Sequence, residues 1–553
     1  MYKSILVFFL WLNFIAFSKD INIIPQPKLI NIKEGNFILT QQTSIVLNDT
    51  SLIHSASFFN EYLQSYYGFQ LPIAKTTNNT ILLELDSSKA LEAYSFESNS
   101  DGIIIKGGSS AGVFYGIQTL IQLLPITNVK PLEIPNVVIE DEPAFAYRGM
   151  HLDVGRYFFP VDFVKQYIDY LALHKFNYFH WHLTEDQGWR IEIKKYPLLT
   201  TVGAWRNGTY KIERKKHSTS ELIGNDNKKH GGFYTQEEIK EIVAYAEKRY
   251  ITIIPEIEMP GHSNAAIAAY PYLSCFPDEP SSIKSWDLRR STASNKKKIM
   301  QRIKETTKGK EVRQYWGISN DVYCVGKEST FEFLEDVLKE VLPLFPSKLI
   351  HIGGDECPKE HWNRCAACQS RMKELNLKNA HELQSYFIQR MEKYVNQYGK
   401  IIVGWDEILE GGLADSAVVM SWRGEAGGIK AANQNHSVLM VPNRQLYLDY
   451  PISKKHDPNL LFRGGYLPLK KVYQWNVVPS ALSKDKQKYI LGGQACVWTE
   501  YIPDIPSVYS AVFPRISAVS ESLWTPISGK NFDDFKKRIL KQKQRYQLWK
   551  VVD

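Results

Sequence analysis

The chain has 553 residues, of which 44% are hydrophobic and 23% charged, with a formal charge of +8 at pH 7. Those proportions are ordinary for a globular protein, and single cores seldom grow past ~300 residues, so one large domain plus a smaller one is expected. The aromatic content stands out: 13 Trp, 31 Tyr and 26 Phe suit surfaces that stack on flat apolar faces such as sugar rings, a large aromatic core being the plainer alternative.

In chain order, "MYKSILVFFLWLNFIAFSKD" comes first. Lys3 gives a positive start, Ile5 to Phe17 an apolar run, and Ala16 and Ser18 a small-residue cleavage pattern. This reads as a secretory leader over residues 1–18, cleaved before Lys19. The run is shorter than the ~20 residues that span a bilayer, no cysteine near it invites a lipid anchor, and a secreted or periplasmic protein with no membrane span is expected. No nucleic-acid partner is expected on the same ground.

Residues 19–142 mix strand candidates ("GFQLPIA", "TILLELD", "DGIIIKGG") with helical stretches, and "SAGVFYGIQTLIQLL" predicts a helix docked on them. "IEDEPAFAYRG" marks a boundary. Beyond it, over 143–525, strand and helix alternate. "YRGMHLD" is followed by a helix opening at Pro160, with Val164, Tyr167, Ile168 and Leu171 on one face. "FNYFHWHLTED" precedes a helix with a Thr235/Glu238 capping box. "ITIIPEIEMPGH", "KLIHIGGDE", "KIIVGWDE", "AVVMSW", "SVLMVP" and "YILGGQACVWTE" complete eight strands. The expected fold is therefore α/β: a (β/α)8 TIM barrel preceded by a small domain of sheet plus helices. A doubly wound sheet would need a glycine-rich phosphate turn, which the sequence lacks. Residues 526–553 predict a final helix packing Phe532, Phe535 and Ile539 on the barrel.

Within the barrel, residues 281–314 hold eleven Lys/Arg and three Asp/Glu, a local +8 that equals the whole excess. A solvated loop is the simplest reading; contact with an anionic glycan or surface is the functional one. Six cysteines (275, 324, 357, 365, 368 and 496) in an oxidising compartment permit disulfides in 15 pairings. A Cys275–Cys324 bond would close the basic loop. "CAAC" at Cys365–Cys368 could be a redox or zinc half-site, but no second pair stands at zinc-finger spacing, and no metal is expected.

Chemistry gathers where strands end: Asp153-Val-Gly-Arg156, His182-Leu-Thr-Glu-Asp186, Glu258-Met-Pro-Gly-His262, Asp355-Glu356, Trp405-Asp406-Glu407, Trp422, Tyr447-Leu-Asp449 and Trp498-Thr-Glu500. Acids supply proton transfer and hydroxyl recognition, and Trp walls supply stacking. This equips a barrel mouth to cut a glycosidic bond. Ordinary glycosidases flank that bond with two opposed carboxyls, roughly 5–5.5 or 6.5–9.5 Å apart. The neighbours Asp355 and Glu356 cannot easily do so, since successive side chains diverge. One of them must have another task.

"HWHLTEDQGWR", "PEIEMPGH", "HIGGDE", "GWDE" and "VWTE", in this order, resemble the family-20 glycoside hydrolases, the β-N-acetylhexosaminidases, over about residues 22 to 525. The resemblance implies retaining, substrate-assisted catalysis on terminal non-reducing β-linked GlcNAc or GalNAc. The substrate's acetamido oxygen would attack the anomeric carbon to give an oxazolinium ion, with no metal or organic cofactor. By the same resemblance Asp355 holds the acetamido nitrogen, and Glu356 is the general acid and base, with a pKa raised toward neutrality. His262 and Asp186 stand behind it. Arg156, Asp449 and Glu500 hold hydroxyls, and Tyr447 donates to the acetamido oxygen. Trp405, Trp422 and Trp498 box the sugar, and Trp475 lines the next subsite. The basic stretch departs from the family pattern, which carries a short loop before a segment like "YWGISNDVYC". A disaccharide-releasing relative and a non-catalytic glycan-binding protein are the competing readings. Intact acids argue against the second.

Overall fold

The computed structural model describes residues 21–552 apart from 75–78, 128–130, 215–219, 282–296, 454–464 and five further positions between 298 and 306. The expected leader and the centre of the basic stretch lie outside the described residues.

The amino-terminal domain is a six-stranded mixed sheet built from β1 (Leu29–Leu39), β2 (Ser44–Leu47), β3 (Thr80–Leu85), β4 (Tyr94–Ser98), β5 (Gly102–Gly107) and β6 (Leu132–Asp141), in the order β1-β6-β4-β5-β3-β2. "GFQLPIA" does not form a strand of its own. Only Ile73 pairs, in a single bridge to Ile45, because Pro72 interrupts the donors a ladder needs. Helices α1 (Ile53–Tyr67) and α2 (Ser110–Leu123) cover the sheet. Helix α2 is apolar on nearly every face and is buried along twelve of its fourteen residues, as an all-round apolar helix must be. One side meets β5 so closely that a Cβ on Gly116 would stand 2.3 Å from Ile105 Cγ2. Another carries Tyr115 edge-on to Trp524, with ring centres 5.1 Å apart.

Eight parallel strands then close a barrel. They are Tyr147–Asp153, Tyr178–His182, Thr252–Met259, Leu349–Gly353, Ile401–Trp405, Val418–Ser421, Val438–Met440 and Ile490–Ala495. These are the eight strand runs of the sequence, each buried almost throughout. Register decides what meets at the carboxyl end. Asp153 pairs with His182, His182 with Glu256, and Glu256 with His351. Four titratable residues thus form one layer below the mouth. Of the helices outside the barrel, Val161–Leu173 opens after Pro160 and Gln236–Glu247 carries the complete Thr235/Glu238 capping box. The final helix, Phe532–Leu548, buries Phe535 and Ile539 and, less expectedly, Arg538, whose guanidinium grips both oxygens of Glu521 at 2.6 and 2.7 Å.

Candidate active site

The loop after the fourth strand explains why two glycines precede the acids. Gly353 and Gly354 take φ of 69° and 91°, a region that favours glycine. There is no room for a side chain either, since a Cβ on Gly353 would lie 1.8 Å from Glu258 Oε2. This sharp turn brings Asp355 and Glu356 over the barrel mouth, with Glu356 itself at φ 43°. The loop after the third strand reaches the same point. Its Gly261 lies against the backbone, where a Cβ would stand 2.8 Å from the Asp355 carbonyl oxygen. His262, also left-handed at φ 46°, aims Nε2 at both acids, 3.5 Å from Asp355 Oδ2 and 3.6 Å from Glu356 Oε2. The Asp355 side chain is 12% exposed and the Glu356 side chain 21%, so the second has the better access to solvent.

Behind His262 the structure places a residue that the sequence reading passed over. Nδ1 lies 2.7 Å from Glu185 Oε1 but 3.8 Å from Asp186 Oδ2. Glu185 also lies 2.9 Å from Arg156 Nη2. Asp186 instead accepts from the Asn264 N–H at 3.0 Å and from Arg313 at 2.9 Å. It therefore fixes the His262 loop from one residue farther away. The tight turn between the two-residue strands Thr184–Glu185 and Gly188–Trp189 decides which acid points at the ring.

Charge accumulates here without water to dilute it. Burial opposes the charged form of His262, yet Glu185 and Asp355 together hold its pKa well above the ordinary value. Burial likewise works against ionised Glu185, but Arg156 and His262 hold it down at about 2. Asp355 is pushed up to about 6 by burial, against the pull of His262 and with the help of Glu256 and Glu356. Glu258 is raised well above the carboxylate range by burial, Asp355 and Glu256. One level down, His182 spans Asp153 at 3.2 Å and Glu258 at 3.3 Å, and His351 lies 2.8 Å from Glu256. Burial opposes the charged form of His182, but Glu256 and the hydrogen bonds to Asp153 and Glu258 outweigh it and hold the His182 pKa well above its ordinary value.

Around the acids stand the rings. Trp405, its Nε1 donating to Glu256 at 2.8 Å, lies 5.7 Å from the Trp498 ring; Trp498 lies 6.1 Å from Tyr447, and Tyr447 stacks on Trp422 at 6.0 Å and 11°. The Arg156 guanidinium sits 5.1 Å over Trp498 and 3.3 Å from Asp153 Oδ2. Asp449 and Glu500 are buried nearby; Asp449 acts on Tyr447 and Glu500 on Arg156 through their charges. Trp475 is the exception and a correction. It packs under the eighth strand, its ring 2.7 Å from where a Gly493 Cβ would be, among Ala144, Phe145 and Lys530. Ala144 and Phe145 precede the first strand, so Trp475 lies toward the opposite end of the barrel from the acids and lines no sugar subsite. Glu407, which the sequence reading saw only as a strand end, belongs to the site. It accepts from Trp422 Nε1 at 2.9 Å, and burial, Asp355 and Asp406 raise its pKa well above normal. Glu356, Glu407, Trp422 and Arg423 line an open cleft of about 470 Å³.

Of the described part of the basic stretch, Lys297, Lys304 and Lys308 are exposed, as a solvated face requires, but its last residues turn inward. Lys310 pairs with Asp321 at 2.7 Å and Arg313 with Asp186, all four side chains being at most 1% exposed. The expected Cys275–Cys324 disulfide is also absent. All six cysteines are unbonded, and Cys324 approaches Cys365 and Cys368, each at 3.7 Å.

A parallel barrel whose mouth holds paired carboxyls, a charged histidine and a ring of tryptophans defines a glycoside hydrolase of the TIM-barrel class. Comparison with known proteins gives the family. Residues 145–527 match the catalytic domain of glycosyl hydrolase family 20, and residues 20–142 match domain 2 of the same family. The chain belongs to glycosyl hydrolase family 20. It is 44% identical over 537 residues to a β-hexosaminidase of Porphyromonas gingivalis, covering 95% of this chain and 63% of that protein. Among solved structures, it is similar to the exo-β-N-acetylglucosaminidase of Vibrio harveyi in complex with N-acetylglucosamine (TM-score 0.82, 31% identity, 96% of this chain and 78% of that one). It is also similar to a β-N-acetylhexosaminidase of Bacteroides fragilis (TM-score 0.75, 31% identity, 95% of each).

Proposed function

We propose that the chain is an exported exo-β-N-acetylhexosaminidase that removes terminal non-reducing β-linked GlcNAc or GalNAc from glycans or chitooligosaccharides with retention of configuration. The observation that carries the mechanism is the convergence of two adjacent acids, Asp355 and Glu356, on one nitrogen of His262. Both approach the reacting centre from one loop, so they do not oppose each other across a sugar, and the nucleophile falls to the substrate's 2-acetamido oxygen. Export rests on the leader reading of residues 1–18.

In the first step the acetamido oxygen bonds to the anomeric carbon as the bond to the leaving oxygen breaks, and Glu356 gives that oxygen its proton. Asp355 accepts the acetamido N–H and stabilises the positive oxazolinium ring. Its buried Oδ1 has no hydrogen-bond partner among the described residues. In the second step Glu356, now a carboxylate, takes a proton from water as the water oxygen bonds to the anomeric carbon and the ring opens. Two inversions leave the β configuration. His262, held cationic by Glu185, stabilises both carboxylates and gives Glu356 an acid partner. Arg156 and Glu500 suit vicinal hydroxyls, and Trp405, Trp498 and Tyr447 form the wall for the sugar face. The cleft beside Glu356 and Glu407 is the exit side for the leaving group.

The test is release of 4-nitrophenol from the β-GlcNAc, β-GalNAc and β-glucose glycosides. Cleavage of the two acetamido sugars with none of the glucoside is expected; comparable cleavage of the glucoside would defeat the reading.

A further inference from the structure

The four cysteines that the sequence left as a half-site and two loop ends meet at one point. Cys275, Cys324, Cys365 and Cys368 are all buried, and their sulfurs all lie within 4.8 Å of one another. Cys275 to Cys368, Cys324 to Cys365 and Cys324 to Cys368 are each 3.7 Å apart. A disulfide needs about 2.0 Å. Four thiolates placed tetrahedrally about 2.3 Å from a zinc ion stand roughly 3.8 Å from one another. Three edges of the cluster match that tetrahedron, and none matches a bond. We propose that Cys275, Cys324, Cys365 and Cys368 are a structural tetrathiolate site for zinc or another thiophilic divalent ion.

The surroundings fit such a centre. Cys365 and Cys368 enclose the start of the helix Ala366–Glu374, at whose positive end thiolates are favoured. Gly326, two residues after Cys324, packs on this knuckle so tightly that a Cβ would lie 2.2 Å from the Ala367 carbonyl carbon and 2.3 Å from the Cys368 nitrogen. The backbone N–H of Gly326 approaches the Cys324 sulfur, and that of Cys368 the Cys365 sulfur. Four thiolates about a divalent ion carry a net charge of −2. Lys327, donating to the Ser274 carbonyl at 2.7 Å, and Arg371, donating to the Gly326 carbonyl at 3.4 Å, place cations beside the loops that bear the sulfurs.

The position gives the site a task. Cys275 ends the segment that carries His262, and Cys365 ends the segment that carries Asp355 and Glu356. Cys324 closes the excursion through the basic stretch. One ion would therefore lock together the two βα loops whose contact creates the catalytic cluster. Binding exchanges four thiol protons for the ion, so affinity falls with falling pH.

The test uses the full chain, purified without chelating resin or added metal. Elemental analysis is expected to find one zinc per chain, and peptide mapping without reduction to find these four cysteines free of disulfides. Cys365→Ser is expected to lose the metal, whereas Cys496→Ala, outside the cluster, keeps it. Should the serine variant fail to fold, the wild type decides alone. Stripped of metal and reloaded with cobalt(II), it should show the intense ligand-field bands of a tetrahedral thiolate centre and regain several degrees of Tm. Two disulfides among the four cysteines, or a folded protein with four free thiols that takes up neither zinc nor cobalt, would overturn the proposal.

Discussion

Two buried charge networks in this molecule differ in one respect, and the difference separates structure from function. Where the amino-terminal domain and the last helices meet the barrel, two cation–acid pairs are closed by direct bonds. Lys175 reaches Asp141 at 3.2 Å, Tyr94 at 2.8 Å and Thr119 at 3.0 Å; Asp141 also accepts from Trp524; Arg538 and Glu521 pair through two bonds. At the barrel mouth, Asp355 Oδ1 and Arg156 Nε are buried with no hydrogen-bond partner among the described residues. Leaving such groups unmade costs stability, and sites that must bind a polar transition state accept that cost. The first network holds the fold; the second is held open for a sugar.

The comparison can be broken at either end. Glu356→Gln should lower kcat by about 10² to 10⁴-fold with no loss of Tm, since the side chain is partly exposed. Arg538→Met should act in the opposite way. It leaves Glu521 buried without its guanidinium, holding only the Tyr473 hydroxyl and the Gln26 N–H, a loss of about 3–5 kcal/mol in denaturant unfolding, with kcat unchanged while the protein is folded. If the interface variant impaired kcat without loss of stability, the division would fail.

Asp355 sharpens the contrast through pH. Its folded pKa is raised from 3.8 to about 6. The stability it contributes is thus fully present below its unfolded pKa and is lost as pH rises through about 6. Asp355→Asn removes that loss. The variant should be more stable than the wild type at pH 8, by about 2–3 kcal/mol of unfolding free energy at about 1.4 kcal/mol per pH unit, and the gain should vanish by pH 4. Over the same range the wild-type kcat/KM should fall as pH drops below about 6, because Asp355 must be ionised to hold the oxazolinium charge. A difference independent of pH would show that the carboxyl is ionised without penalty.

Smaller effects separate neighbours. Glu185→Gln should move the His262 titration, read by NMR, toward its ordinary value more than Asp186→Asn does, because only Glu185 lies within hydrogen-bond distance of Nδ1. Trp475→Phe should leave KM unchanged.

Most of the barrel was legible because strands buried on both faces are written as unbroken apolar runs, and each ends abruptly in a polar or aromatic group. That rule located Asp355, Glu356, His262 and Arg156. It failed where direction mattered more than position. Glu185 and Asp186 are adjacent, and only a four-residue turn decides which faces His262. Trp475 carries no mark in the sequence that distinguishes a packed ring from a sugar platform. Strand β1 of the first domain, exposed along most of its length, gave a weaker signal than the barrel runs. Arg313 read as part of a solvated basic loop because its partner Asp186 is remote in sequence. Deleting 281–314 would remove that buried ion pair, so a role for the stretch in binding anionic glycans is better tested by neutralising the lysines between 284 and 298 and comparing sulphated with neutral substrates.

The central claim is that the substrate's acetamido oxygen, and no side chain, attacks the anomeric carbon. The most direct measurement is kcat/KM on 4-nitrophenyl β-GlcNAc substrates bearing one, two and three fluorines on the acetyl methyl. Fluorine withdraws electrons from the carbonyl oxygen without touching the leaving group. The account predicts a steep fall with each fluorine. Rates independent of fluorination would contradict it, and Asp355 would have to be reassigned as the nucleophile.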